Sequence, residues 1–248
     1  MPKSEIELVW FKRDLRVTDN KPLYAASNRG VVMPVYIFEP NLWRGSDLSF
    51  RHYDYLVKAL YDLDSHLRTL GSNLHIHVGS ACDVLSAIST KYKIQRLWSH
   101  QETWNLWSYR RDQDVRAWAA ANGIHWIEEA NNGIIRKLRS RDGWAKEWYR
   151  TMVFPMTPTP RKLKMLPFAN HNLPNPLQLK LSEDQSISTQ IPTRSSGLET
   201  LTSFLEKRGN NYQYEMSTPK TAEKSCSRIS PYLTFGQLSV REVFQLTE

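Results

Sequence analysis

The sequence predicts an α/β fold followed by the beginning of a helical domain. Up to Asn131, short apolar segments typical of buried strands alternate with segments of helical periodicity. This alternation predicts a doubly wound, five-stranded parallel sheet of the Rossmann-like kind. Beyond Asn131 a basic, proline-rich stretch interrupts the pattern before helical signals return. We therefore divide the chain into an α/β domain (1–132), a connector (133–196) and the beginning of an all-α domain (197–248).

Five segments are predicted to form the strands. The first, Ile6–Phe11, has a continuously apolar centre, as strands buried on both faces of a parallel sheet do. Pro34 is expected to limit the start of the second strand, because proline has no N–H to donate to a ladder. The other four strands are predicted at Val35–Phe38, Leu74–Val78, Arg96–Ser99 and Trp126–Ile127.

Helical signals occupy the segments between these strands. Short helices are predicted for Pro22–Ser27 and Ala81–Lys91, and a longer one for Asn105–Ala121. A further helix, ended by Gly71, places its apolar residues on one face. These residues are Tyr53, Leu56, Val57, Leu60, Leu63 and Leu67.

The loop Lys12–Asn20 follows the first strand at its carboxyl end, where open α/β sheets bind ligands. No Gly-x-Gly-x-x-Gly motif lies in this loop, so a dinucleotide site of the usual Rossmann kind is not indicated. His75 and His77 form a His-x-His pair without an apparent third ligand nearby. We therefore expect solvent-facing histidines and no metal site.

The connector carries most of the net charge of +8. Residues 133–164 hold nine basic and two acidic side chains, which is a local charge of +7. Such an excess indicates an anionic partner, nucleic acid first, although a solvated connector explains it equally well. A short helix is predicted at Ala145–Arg150, and the prolines that follow exclude a long one. The polar stretch 182–196 indicates an exposed linker.

The helical domain is predicted to begin with a capping box. Ser196 and Glu199 have the required spacing, so the helix is expected to begin near Gly197. A second helix start is indicated at Ser239.

Composition excludes several classes of protein. No apolar run approaches the ~20 residues of a membrane helix, and residues 1–5 do not resemble the start of a signal peptide. Cys82 and Cys226, the two cysteines, lie far apart and suggest no disulfide scaffold. We expect a soluble protein of a reducing compartment, the cytoplasm or, in a eukaryote, the nucleus.

The stretch Ser225–Arg241 carries the strongest functional signal. Three serines fall within six residues, and Ser230 precedes Pro231, which suits the first turn of a helix. Free N–H groups at such a position attract phosphate. The residues alone therefore predict a phosphate cradle at a helix N-terminus, with an ordinary Ser-Pro helix start as the alternative.

This stretch and the opening strand resemble the photolyase and cryptochrome family. Cys226–Arg241 is similar to the segment that binds the FAD phosphates in that family, and Leu8–Asn20 is similar to its first strand and loop. Tyr214 stands twelve residues before Cys226, where the family has a further FAD-binding tyrosine. The resemblance implies that six residues contact FAD: Tyr214, Cys226, Ser227, Arg228, Ile229 and Ser230. The guanidinium of Arg228 also suits a structural salt bridge.

The resemblance implies a blue-light, FAD-dependent photolyase that splits pyrimidine dimers in DNA by electron transfer. The alternatives are a cryptochrome-like photoreceptor without repair activity, or a stand-alone antenna or nucleic-acid-binding module. Two departures from the family's photolyases leave room for a receptor. Cys226 replaces a threonine, and Thr218 stands where those photolyases have a DNA-contacting arginine.

An antenna chromophore of the folate or deazaflavin type is the second cofactor that the resemblance implies. It is expected near the first loop and the loop after the fourth strand, with Glu102 as the candidate contact. An exposed acid before a helix is the alternative interpretation of Glu102. The family's flavin domain has further helices, so we expect a fragment or truncated form, inactive alone, or a partner that supplies the missing flavin-domain segment. No catalytic residue is assigned.

Overall fold

The computed structural model describes residues 3–164, 166, 172–182 and 190–248. Five parallel strands form one sheet in the order β3-β2-β1-β4-β5, which confirms the predicted doubly wound architecture. The strands are β1 Glu5–Phe11, β2 Val32–Phe38, β3 His75–Val78, β4 Lys93–His100 and β5 His125–Glu129. The strand order reverses between β1 and β4, so the ligand-binding crevice of such a sheet is expected at their carboxyl ends.

Helices cover both faces of the sheet and, joined by loops and short turns, follow it in the remainder of the described chain. In the α/β domain they are α1 Lys21–Ser27, α2 Pro40–Trp43, α3 Phe50–Thr69, α4 Ala81–Lys91 and α5 Leu106–Ala121. The connector contributes α6 Trp144–Val153. The last part contains α7 Arg194–Glu206, α8 Tyr212–Glu215, α9 Pro219–Ser225, α10 Ser230–Thr234 and α11 Val240–Thr247. Short 3₁₀ turns occupy Pro176–Leu179 and Arg208–Asn211.

Strand β1 is the centre of two hydrophobic cores. Val9 and Phe11 contribute to the core on one face of the sheet, while Leu8 and Trp10 contribute to the other. All four side chains are buried, and burial of each such side chain stabilises the fold by roughly 1.5–3 kcal/mol. This two-sided burial is the reason for the continuous apolar run in the sequence.

The expectation that Pro34 limits the second strand is wrong. Strand β2 begins at Val32 and includes Pro34, whose Cα pairs with that of Val9 on β1. Pairing with β3 starts only at Val35. Pro34 therefore lies where the β3 side of the strand is unpaired, so its missing N–H breaks no ladder bond on that side.

Two further expectations need correction. Helix α7 begins at Arg194 rather than near Gly197, because the Thr193 side chain accepts a hydrogen bond from the backbone N–H of Ser196 and acts as the N-cap. His75 is 3% exposed and so is buried within the sheet instead of facing solvent.

Among the residues that the structure describes, no cluster of potential metal ligands is present. None of the helices formed by the described residues is long and apolar enough to cross a bilayer.

The connector packs against the end of the chain. The Phe244 ring on α11 lies nearly perpendicular to the rings of Trp148 and Tyr149 on α6, with centroids 5.4 Å and 5.8 Å away. Gln245 donates hydrogen bonds to the carbonyl oxygens of Met152 and Phe154. Of the predicted linker 182–196, residues 183–189 lie outside the described part of the chain, and residues 194–196 belong to helix α7 rather than to a linker.

Candidate cofactor-binding site

The segment 226–229 forms a loop between α9 and α10 with an unusual backbone. Arg228 has a φ of 61°, in the left-handed region, and Ile229 follows in the right-handed region at φ −87° and ψ −6°. Consecutive residues of opposite hand turn their N–H groups toward a common side, which creates an anion-binding concavity. We call residues 227–230 the backbone nest.

The N–H groups of the nest are free to meet a ligand. Within the described residues, none of the four N–H groups from Ser227 to Ser230 donates a hydrogen bond. The hydroxyls of Ser227 and Ser230 are likewise without a partner among those residues. Four unpartnered backbone donors in succession are rare away from solvent or a ligand. The backbone nest therefore offers hydrogen-bond donors to a ligand.

The carbonyl groups of the same segment point into the protein. Arg208 donates hydrogen bonds to the carbonyl oxygens of Cys226 and Ser227, and Gln190 donates one to that of Arg228. Three of the four donors of the predicted cradle thus lie in the loop, and the fourth, the Ser230 N–H, belongs to the first residue of helix α10. Helix α10 has only five residues, so its own dipole adds little.

The six residues expected to contact FAD lie on α8 and on the segment from the end of α9 to the start of α10. Cys226 to Ser230 are contiguous, whereas Tyr214 on α8 is 85% exposed. An open cleft of about 540 Å³ lies beside the loop, and of the six only Arg228 lines it, with Arg208 and Tyr232 among the other lining residues. Arg228 Nη2 lies 3.9 Å from Glu223 Oε1, a loose, half-exposed ion pair.

A second crevice, of about 360 Å³, lies at the point where the strand order reverses. It is lined by residues that follow β1, β4 and β5, and by α10 and the residues after it. The guanidinium of Arg13 stacks on the Trp104 ring at 4.0 Å, which makes a flat, cationic platform. Buried Arg16 donates to Asn131 Oδ1 at 2.7 Å, while its Nε has no partner among the described residues.

Glu102 lines this crevice as part of a buried ion cluster. Its carboxylate accepts a hydrogen bond from Arg111, which also binds Glu39 and Asp112. The Glu102 side chain is 6% exposed, so the alternative of an exposed acid is wrong. Burial lowers the pKa of Arg111, but Glu102, Glu39 and Asp112 outweigh it and hold that pKa above its ordinary value.

Sequence reasoning missed Trp104, Arg111 and Arg208, and it placed Arg13 in the first loop of the expected antenna site without giving it a role. An arginine on a helix is ordinarily solvated, so Arg111 carried no signal of its burial. Its partner Glu39 lies 72 residues away in the sequence. The position of Arg13 directly after a buried strand was the one available hint.

Both sites fit the chemistry of the cofactors that the resemblance implies. The nest supplies only donors, as a diphosphate requires. The crevice combines two arginines, an aromatic platform and a carboxylate, a set suited to an aromatic chromophore that carries negative charge.

Comparisons with known proteins agree with the fold. The sequence profile of the DNA photolyase family matches residues 7–151. Cryptochrome-1 of Arabidopsis thaliana is 26% identical over 96% of this chain, and the deoxyribodipyrimidine photo-lyase of Halobacterium salinarum is 25% identical over 97%. The chain covers 37% and 54%, respectively, of these two relatives.

Solved structures match over nearly the whole chain. The cryptochrome of Synechocystis sp. aligns with a TM-score of 0.79 at 19% identity, covering 99% of this chain and 56% of that one. The Sulfolobus tokodaii photolyase, solved with two FAD molecules, aligns with a TM-score of 0.70 at 23% identity, covering 98% and 54%. Because the family profile spans more than half of its 248 residues, the chain belongs to the DNA photolyase family, which also contains the cryptochromes.

Proposed function

We propose that this chain is the FAD-diphosphate-binding and antenna-binding part of a blue-light, FAD-dependent photolyase-like protein. The reaction of the whole protein would be light-driven splitting of pyrimidine dimers in DNA. The observation that supports the proposal most directly is the backbone nest, with four successive N–H groups and no acceptor among the described residues. FAD, when bound, supplies light absorption and the transferred electron.

The nest and its two serines would hold the diphosphate. The N–H groups of residues 227–230 donate to phosphate oxygens, and the hydroxyls of Ser227 and Ser230 add two donors. Lys224 and Arg228, which line the cleft beside the loop, add positive charge close by. Charge-assisted bonds of this kind contribute roughly 1.5–3 kcal/mol each.

The antenna chromophore, of the folate or deazaflavin type, is assigned by this proposal to the crevice at the strand-order reversal. The Arg13–Trp104 platform suits a conjugated ring, and Arg16 suits a carboxylate or phosphate on it. Glu102, whose buried side chain lines the same crevice, is the acidic contact.

A cryptochrome-like receptor without repair activity is the second candidate. Thr218, exposed at the start of α9, cannot supply the positive charge that a DNA-contacting arginine would. Cys226 likewise offers a weak S–H donor in place of a hydroxyl. Cys226 belongs to the proposed FAD segment, and Thr218 lies four residues after Tyr214 in the sequence.

A competition titration tests the proposal. Purified protein is titrated with FAD, and bound FAD is then challenged with ADP or with riboflavin. Binding through the diphosphate predicts that ADP displaces FAD while riboflavin at the same concentration does not. Absence of FAD binding, or equal displacement by riboflavin, would contradict the proposal.

Illumination separates the two candidate functions. The protein with reduced FAD is illuminated with blue light in the presence of an oligonucleotide that contains a pyrimidine dimer. Loss of dimer above the dark control supports repair. In a parallel sample that contains oxidised FAD and an added thiol reductant, blue-light reduction of the flavin, together with no dimer loss in the first sample, supports the receptor.

A further inference from the structure

Arg208 occupies the protein side of the nest and makes four hydrogen bonds there. Its two terminal nitrogens donate to the carbonyl oxygens of Cys226 and Ser227. One of them also donates to the carbonyl oxygen of Thr200 at 2.7 Å, and Nε donates to Ser203 Oγ at 3.0 Å. The guanidinium therefore joins helix α7 to two consecutive peptide groups of the nest loop.

This arrangement sets the direction of the N–H groups. In a planar trans peptide, the carbonyl of one residue and the N–H of the next point in opposite directions. When Arg208 holds the carbonyls of Cys226 and Ser227 toward α7, the N–H groups of Ser227 and Arg228 must point away from it, toward the nest. Gln190 donates a hydrogen bond to the carbonyl oxygen of Arg228 and so directs the N–H of Ile229 toward the nest in the same way.

Only an arginine can make this set of contacts. Its planar guanidinium offers five donors in a fixed fork, which reaches four acceptors on two segments at once. A lysine keeps the charge but has a single ammonium on a flexible stem, so it cannot hold both nest carbonyls and both α7 oxygens.

We propose that Arg208 is the positioning residue of the diphosphate site. It touches no phosphate itself but fixes the nest in its donor geometry before the ligand arrives. This inference rests on the proposed function, because it names the residue that preorganises the proposed FAD-phosphate nest.

The test replaces Arg208 by lysine, with Arg194→Lys as the matched control. Arg194 also ties α7 to the last part of the chain, through the Gln237 carbonyl oxygen and Glu242, but it makes no bond to the nest. ADP binding is measured by calorimetry in wild type and both variants. Arg208→Lys is expected to weaken ADP binding at least about tenfold, while Arg194→Lys stays close to wild type. Equal weakening in both variants would overturn the inference.

A second readout is independent of any ligand. Cys226 lies in the loop that Arg208 holds, and half-buried Cys82 on α4 serves as an internal reference. Alkylation of both thiols by iodoacetamide is followed by peptide mass spectrometry. Arg208→Lys is expected to speed alkylation of Cys226 but not of Cys82, and unchanged Cys226 alkylation would overturn the inference. If wild type bound no ADP, the proposed function would fail, and the thiol measurement would still decide whether Arg208 positions the loop.

Discussion

The side chain of Arg16 donates a hydrogen bond of 3.0 Å to the carbonyl oxygen of Gly236. Two more bonds connect the same segments: Arg13 Nε to the Thr234 carbonyl oxygen, and the Leu15 N–H to the Phe235 carbonyl oxygen. The loop after β1 and the residues that follow the nest therefore form one unit, although some 220 residues separate them in the sequence. This contact attaches the proposed FAD segment to the α/β domain.

Gly236→Ala is expected to break this attachment. Gly236 has a φ of +73°, and an added Cβ would lie 2.3 Å from the Arg13 carbonyl oxygen and 2.5 Å from Asp14 Cα. Because both neighbours are backbone atoms, the segment must move. We expect a loss in the free energy of unfolding of about 3 kcal/mol or more, measured by urea denaturation.

Gly143→Ala separates the steric clash from the conformational cost. Gly143 has nearly the same φ, +74°, but nothing lies within 4 Å of its would-be Cβ. Gly143→Ala should lower the free energy of unfolding by only about 1 kcal/mol, the cost of an alanine in the left-handed region. Equal losses at both glycines would contradict a tight contact at Gly236.

Local patterns were enough to predict the sheet and most helices. Strand β1 is apolar because both its faces are buried, and the helix Ala81–Lys91 was predicted with the bounds that the structure has. The capping box at Ser196 failed because Thr193, three residues earlier, offers an equivalent side-chain cap. Competing caps within one turn differ too little in free energy to be ranked from sequence.

The candidate site was only partly predictable. The run from Cys226 to Ser230 was identified by resemblance, but its left-handed Arg228 has no local signature, since arginine rarely adopts a positive φ. The partners that shape the nest and the crevice, Arg208 and Arg111, act through contacts distant in sequence. Residue type and spacing do not encode such contacts.

Stability is expected to fall below neutral pH because of His100. Burial lowers the pKa of His100, although Asp14, whose Oδ2 lies 2.7 Å from Nδ1, opposes this. The unfolded chain therefore takes up a proton below about pH 6.5, the ordinary value, while the folded state resists it. Stability should decrease from pH 6.5 downward by up to about 1.4 kcal/mol per pH unit, measured by urea denaturation at several pH values.

Asp14 extends this acid sensitivity to lower pH. Burial alone would raise the pKa of Asp14, but hydrogen bonds from His100 and the Lys12 N–H lower it overall. Its contribution is present above its ordinary value of 3.8 and is lost as the pH falls through the lowered pKa. His100→Asn should reduce the slope between pH 6.5 and 5.5, whereas exposed His125→Asn should not. An unchanged slope in His100→Asn would disprove the assignment.

Ser230→Ala and Tyr214→Ala are each expected to weaken FAD binding by roughly 1.5–3 kcal/mol, the contribution of one hydrogen bond to a charged group. The Ser230 hydroxyl has no partner among the described residues, and the Tyr214 side chain is 85% exposed. Neither change should therefore destabilise the free protein. Thermal melts establish that point, and FAD titration measures the binding. Ser46→Ala, at an exposed serine of the α/β domain, is the control. If the Ser230→Ala and Tyr214→Ala variants bound FAD as tightly as the Ser46→Ala control, neither residue would belong to the site.

The connector is expected to bind nucleic acid weakly and without sequence preference. Of the nine basic residues within 133–164, Arg136 and Arg150 are ion-paired to carboxylates. The other seven are exposed and form no ion pair with any described residue: Lys137, Arg139, Arg141, Lys146, Arg161, Lys162 and Lys164. If about five of them contact phosphates, the logarithm of the binding constant should fall with the logarithm of salt concentration with a slope of roughly −4 to −5.

Charge-removing variants locate this interaction. Arg139→Gln combined with Arg141→Gln should make the slope shallower by about 2 in a filter-binding titration on duplex DNA, because two phosphate contacts and their released counterions are lost. Lys58→Gln combined with Lys93→Gln removes two exposed lysines of the α/β domain that already pair with Asp54 and Glu5, and it should leave the slope unchanged. The connector would be excluded as the nucleic-acid-binding surface by either of two results. One is a wild-type binding constant that does not change with salt concentration, and the other is an equal change of slope in both double variants.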